Sequence, residues 1–159
     1  MDEPGHASRS VPLKRAGSRS TEWLVRLAVA AVLAVNLDCA FSFIVRPDRY
    51  AGGFELTGIP GEVAVRGLGI AFLMWNATYP LVVWQPRRYR TLFGVVLAQQ
   101  AIGLIGESWL LLTIPAGHEA LAGSITRFIA FDGVGLVLML GAYVLLRAAT
   151  PPPRHGEHT

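Results

Sequence analysis

The sequence predicts an all-α integral membrane protein, a four-helix up-down-up-down bundle with both termini cytoplasmic. Three observations carry this reading. Of 159 residues, 52% are hydrophobic and 16% charged, well below the roughly one-quarter charged of soluble domains, and the mean hydropathy is +0.43. The apolar residues gather in four runs, each long enough at about 1.5 Å per residue to cross about 30 Å of hydrocarbon. The basic residues collect in the two tails and in one loop between runs, the asymmetry that orients membrane proteins.

Residues 1–20, MDEPGHASRSVPLKRAGSRS, mix Pro, Gly, Ser and basic residues without apolar periodicity. They cannot bury enough surface to offset the entropy of ordering, so they are expected to form a flexible cytoplasmic tail. Thr21 is the expected N-cap of the first helix, and the run from Trp23 to Val45 is almost continuously apolar. It exceeds the roughly 7–15 residues of a signal-peptide core and no clean small-x-small site follows, so it reads as a membrane helix that is retained. Arg46-Pro47 ends it, because proline disfavours helix in the residue before it. The connector RPDRYAGGFELTGIPG is rich in turn formers.

The second run extends from Glu62 to about Val83, with a kink or fray expected at Pro80. WQPRRYR makes a basic turn, a third run covers Arg90 to Leu112, and a fourth runs from Glu119 to Leu146 ahead of the triple proline at 151–153. The membrane domain is thus expected at 21–147, with a second flexible tail at 148–159. Lys14, Arg15, Arg19 and Arg26 open the first helix, Arg87, Arg88 and Arg90 fill the middle turn, and Arg147 closes the last. These belong in the cytoplasm. Short connectors between the second and third and between the third and fourth helices are expected to make them antiparallel neighbours.

The stretch RFIAFDG, Arg127 to Gly133, places an arginine and an aspartate five residues apart inside an apolar run. In lipid that needs a reason. Counting inward from the outer helix ends, Asp38 lies roughly 10 Å deep, Arg66 about 6 Å, Glu107 about 8 to 10 Å, Arg127 about 9 Å and Asp132 about 15 Å. All four helices thus contribute ionisable groups to one slab of the outer half. A lone charge at the bilayer centre costs about 2.5 to 3.5 kcal/mol on insertion scales, so such groups are expected to face inward and pair. Gln100, Gly103 and Glu107 share a stripe of the third helix, Arg66 shares one with Gly69, Leu73 and Ala77, and Arg127 and Asp132 straddle a face of Ser124, Phe131, Gly135 and Ala142. Two guanidiniums against three carboxylates leave one negative charge over. One acid is therefore expected to take up a proton or a cation, Asp132 first because it lies deepest.

The bland alternative is that arginine forks bind the helices together in a solvent that gives them little hydrophobic drive to associate. Asn36, Asn76, Gln99 and Gln100 are expected to make interhelical hydrogen bonds, and Gly67-x-x-x-Ala71 and Gly94-x-x-x-Ala98 are candidate close-packing motifs. Trp23, Trp84 and Trp109 suit interfacial anchors, with Trp75 packed inside.

Several classes are excluded. No soluble basic face with interleaved readers exists for nucleic acid. The single cysteine, Cys39, allows neither an internal disulfide nor a metal-binding Cys cluster and reads as a small buried hydrophobe. His6, His118, His155 and His158 lie in tails or a connector, so no membrane helix offers a haem ligand. The sequon Asn76-Ala77-Thr78 sits inside a membrane run and is set aside. No phosphate loop, Ser-His-Asp set or zinc signature appears, so no cofactor is expected.

The runs GIPGEVAVRGLGIAFLMWN, AQQAIGLIGESWLLLT and SITRFIAFDGVGL resemble the BphX-like proteins, small bacterial membrane proteins encoded near aromatic-degradation genes, and more loosely the four-helix DoxX-like group. The likeness covers residues 36–146. It implies four membrane helices and a bacterial inner membrane, and it transfers no catalytic residues.

The expectation is therefore a non-enzymatic membrane protein with a ligand or proton site at Asp38, Arg66, Gln100, Glu107, Arg127 and Asp132. Its partners are the bilayer and, as candidates, a small molecule, a second copy or a larger membrane complex. The alternatives are a membrane subunit of an oxidoreductase, with a quinone site or proton path through Asp38, Glu107 and Asp132, and a component of an oligomeric transporter.

Overall fold

A computed structural model describes residues 14–149, with side chains described for 19–149. Of the flexible tails expected at 1–20 and 148–159, residues 1–13 and 150–159 lie outside the described residues, and the rest is helical or a turn. Helix α1 spans Lys14–Val45 and begins seven residues ahead of the N-cap expected at Thr21. α-Helical hydrogen bonding is local, so it continues beyond the apolar run that defines the span. The span long and apolar enough to cross a membrane starts at Arg19.

Pro47 carries no N–H and ends α1, but the connector does not stay irregular. Its carbonyl accepts the N–H groups of Tyr50 and Ala51, both at 3.0 Å, which winds Asp48–Ala51 into a short helix, α2. Gly52–Phe54 continues as a 3-10 turn. Glu55 then takes the left-handed conformation, φ 56°, and Gly58, at φ 63°, leads into α3, Gly58–Asn76.

The break expected at Pro80 falls at Ala77–Thr78, and α4 covers Tyr79–Trp84 with the proline in its first turn. Pro80 has no N–H to offer the carbonyl four residues back, which is where the helix divides. α5 spans Arg90–Thr113 and α6 Glu119–Ala148. Four segments, 19–45, 58–84, 90–113 and 119–148, are long and apolar enough to cross a membrane, and among the described residues there is no strand. Their outward faces are apolar: Leu112 is 85% exposed and Ile59 76%. A surface of that kind belongs against acyl chains.

α1 is the hub, packing on α3, α4 and α6, while α5 packs on α6 and α4; α3 and α5 are not a closely packed pair. Gly69 permits the tightest approach, its α-carbon facing the backbone carbonyl of Ala40 on α1. The small-x-x-x-small motifs do not mark such approaches, because a β-carbon at Gly67 or Gly94 would meet nothing within 4 Å. Spacing selects a helix face and cannot say which face finds a neighbour.

Two apolar clusters result. Val25, Val29, Val82, Phe93, Met139 and Leu146 pack at the end that carries the basic turn. Phe43, Ala51 and Val65, with Phe54, Phe72 and Phe128, pack at the other. At the basic end Glu22 receives Arg26 at 2.7 Å and Arg87 at 3.1 Å, tying α1 to the 85–89 turn. Trp23, Trp84 and Trp109 stand exposed at 61%, 62% and 64%.

Candidate functional site

Between the two clusters the helices separate around a partly open cleft of about 560 Å³, within the range of roughly 300–1,000 Å³ typical of small-molecule sites. It exists because α3 and α5 stand apart at this level and only side chains bridge them. Trp75 of α3 reaches to within 3.8 Å of where a β-carbon on Gly103 of α5 would sit.

Five of the six residues expected from sequence line this cleft: Asp38, Gln100, Glu107, Arg127 and Asp132. Arg66 does not. At 100° per residue it stands about 120° from Phe72 and about 180° from Trp75, the α3 side chains that do face the cleft. It is exposed, and its Nε donates to the carbonyl of Ile44 at 3.2 Å. That carbonyl lies in the last turn of α1, where no intrahelical donor remains and the helix dipole favours a cation.

The expected arginine–carboxylate pairing is also absent. Among the described residues the salt bridges are those of Glu22 and the Glu55–His118 pair, so no arginine nitrogen comes within 4.0 Å of Asp38, Glu107 or Asp132. Arg127 instead donates through Nη2 to Ser124 Oγ at 3.0 Å, and that hydroxyl donates to the Gly53 carbonyl at 2.7 Å. A guanidinium bonded to a hydroxyl of its own helix makes no ion pair with the acids that line the cleft.

Gln100 organises the floor. Its Oε1 accepts the Tyr79 hydroxyl at 3.0 Å, and its Nε2 donates to Asp132 Oδ1 at 2.8 Å. The other aspartate oxygen, Oδ2, lies over Gly103, 2.7 Å from where a β-carbon would stand. Asn36 donates to Asn76 Oδ1 at 3.0 Å, and Asn76 to the Phe72 carbonyl at 2.8 Å, which accounts for the buried amide of the discarded sequon. Glu107 Oε2 is buried and has no hydrogen-bond partner. Cys39, read as a buried hydrophobe, is only half-buried and lines the cleft as a free thiol.

The walls are aromatic: Phe43, Tyr50, Phe54, Phe72, Trp75, Phe128 and Phe131 all face the cleft. Phe43 is central, with ring centroids 4.8 Å from Tyr50, 5.9 Å from Phe54 and 6.0 Å from Phe72. Arg49, Tyr50, Gly53 and Phe54 come from the connector, which folds over this end of the cleft. Sequence reasoning missed all four. The signal available was two aromatic side chains among turn formers, which need an apolar surface to lie on.

Glu55 holds the connector in place. His118 Nδ1 donates to its Oε2, and the Leu121 N–H, in the unpaired first turn of α6, donates to its Oε1 at 3.3 Å. The hydrogen bond from His118, reinforced by the Leu121 N–H, holds this carboxyl below the ordinary carboxylate range. A depressed pKa stabilises the fold above the unfolded value, and that contribution is lost as pH falls through the folded one. Glu55→Gln is therefore expected to melt below wild type near pH 7 in detergent and to converge with it below about pH 4. Equal melting temperatures at neutral pH would show that the latch contributes nothing.

The chain matches no protein-family profile, no curated protein and no solved structure. The site is accordingly read from its own chemistry.

Proposed function

We propose that this chain is a non-enzymatic, multi-pass protein of the bacterial inner membrane that holds a small molecule in the cleft between α1, α3, α5 and α6. The carrying observation is the convergence of five polar or charged residues from three helices on a single aromatic-walled cavity. Intramembrane charges are expensive and persist where they serve a site, and here, among the described residues, no arginine–carboxylate pair joins one membrane span to another. The likeness to BphX-like proteins and the apolar outer faces agree with this placement.

The proposed orientation is up-down-up-down with both termini cytoplasmic. Arg19, Arg87, Arg88, Arg90 and Arg147 lie at or next to the ends of the spans and fit the cytoplasmic side. The cleft then sits in the outer half beneath the α2 connector. The alternative proton path, through Asp38, Glu107 and Asp132, gains no link from the hydrogen bonds that run from Tyr79 through Gln100 to Asp132, because the central amide neither gains nor loses a proton in the physiological range. The chain of hydrogen bonds fixes the aspartate's orientation instead.

Protein extracted gently from its own membrane is expected to carry a non-lipid mass in native mass spectra. Gly103→Leu would fill the notch between Asp132 and Trp75 and is expected to arrive empty with unchanged helix content. Wild-type protein bearing lipid alone, or a variant that retains the same mass, would count against a ligand in this cleft.

A further inference from the structure

Among the described residues the acids of the cleft form no ion pair, and the walls that surround them are largely aromatic. Asp38, Glu107 and Asp132 come from α1, α5 and α6, and among the described residues none has an arginine nitrogen within 4.0 Å. Glu107 Oε2 is buried and unpartnered, and Asp132 Oδ2 lies over Gly103 with its sister oxygen held by Gln100. Two arginines also line the cleft, but Arg127 is bonded to Ser124 and Arg49 enters from the connector over one end, so neither pairs with an acid and three carboxylates stand against two guanidiniums.

We infer that the cleft selects a hydrophobic organic cation, an ammonium centre on an aromatic or branched apolar body, seated among the aromatic rings and between the three carboxylates. This rests on the binding reading above and adds the charge and shape of the ligand. Cation–π attraction is strongest where the cation is desolvated, as it is at this depth. A metal ion fits less well, because among the described residues no group of three potential ligands is placed to hold one. Carboxylates spread around a wide cavity suit a large cation with diffuse charge, which can lie near all three at once. The volume of about 560 Å³ admits a body of that size.

The test uses three probes of nearly equal shape: benzyltrimethylammonium, its neutral carbon analogue neopentylbenzene, and the anion 4-tert-butylbenzoate. Trp75 lines the cleft and the other tryptophans are exposed. Trp23, Trp84 and Trp109 are therefore changed to Phe, and Trp75 fluorescence is followed in nanodiscs. The cation is expected to give a saturable change with a midpoint at least about tenfold lower than either analogue. Glu107→Gln with Asp132→Asn is expected to raise the cation's midpoint at least about tenfold and leave the neutral probe's unchanged. Asp38→Asn, at an exposed position, serves the same purpose should the double variant fail to fold. A neutral probe that binds as well as the cation, or a tighter anion, would overturn the charge selection while leaving the cleft a binding site. No saturable change with any of the three would remove both readings.

Discussion

Gly69→Ala is expected to lower the stability of the detergent-solubilised protein by about 1 to 3 kcal/mol, the usual cost of overpacking a tight contact. A β-carbon there would stand 2.7 Å from the Ala40 carbonyl oxygen and 2.9 Å from the β-carbon of Phe43. Neither is the mobile tip of a side chain, so relief requires α1 and α3 to move apart. Phe43 is the centre of the aromatic wall, so the same displacement is expected to weaken any ligand bound in the cleft. Gly67→Ala is the control. Its β-carbon meets nothing within 4 Å, and alanine's better helix propensity is expected to leave the melting temperature equal or higher. Similar losses in both variants would mean that the close contact of α1 with α3 is not where the bundle is tight.

Gln100→Leu is expected to cost about 1 to 3 kcal/mol, because it strands two partners at once. Gln100 is 3% exposed, accepts from the fully buried Tyr79 hydroxyl and donates to Asp132 Oδ1. Interhelical hydrogen bonds in membranes average only about 0.6 kcal/mol where the unfolded state finds other partners. Here one partner is a carboxylate and the other lies inside the protein, which places the expected loss above that average. Gln99→Leu, whose contact with Thr78 is a long 3.4 Å, is expected to lie within about 0.5 kcal/mol of wild type. Thermal unfolding of the two variants in one detergent checks the pair, and a neutral Gln100→Leu would show that the floor of the cleft is not held by this amide.

The spans were legible because each is a local property of the chain. The expected third run, Arg90 to Leu112, differs from α5 by one residue at its end, and the expected fourth matches α6 at Glu119. Lipid excludes unpaired backbone groups, so a long apolar run has no spanning alternative to a helix other than a closed barrel. The meeting of Gln100, Gly103 and Glu107 on one side was also visible, since 3.6 residues per turn brings positions 100, 103 and 107 to one stripe. Asp38, Arg127 and Asp132 could be placed near the same level by counting rise along each helix. Arg66 passed the same count and failed, because depth fixes height along the axis and leaves rotation free.

By itself, then, the sequence determined that four apolar runs form helices, where the third and fourth begin, and that ionisable groups cluster near one depth, all consequences of rise, periodicity and the cost of charge in hydrocarbon. Only the tertiary structure decided that the acids stand apart from the arginines, that Arg66 turns outward to the end of α1, and that the connector folds into α2 to close an aromatic wall. Those outcomes depend on how each helix is rotated and how closely it approaches its neighbours. Such choices are set by contacts between residues distant in the chain, as Gly69 against Ala40 and Asp132 over Gly103 show.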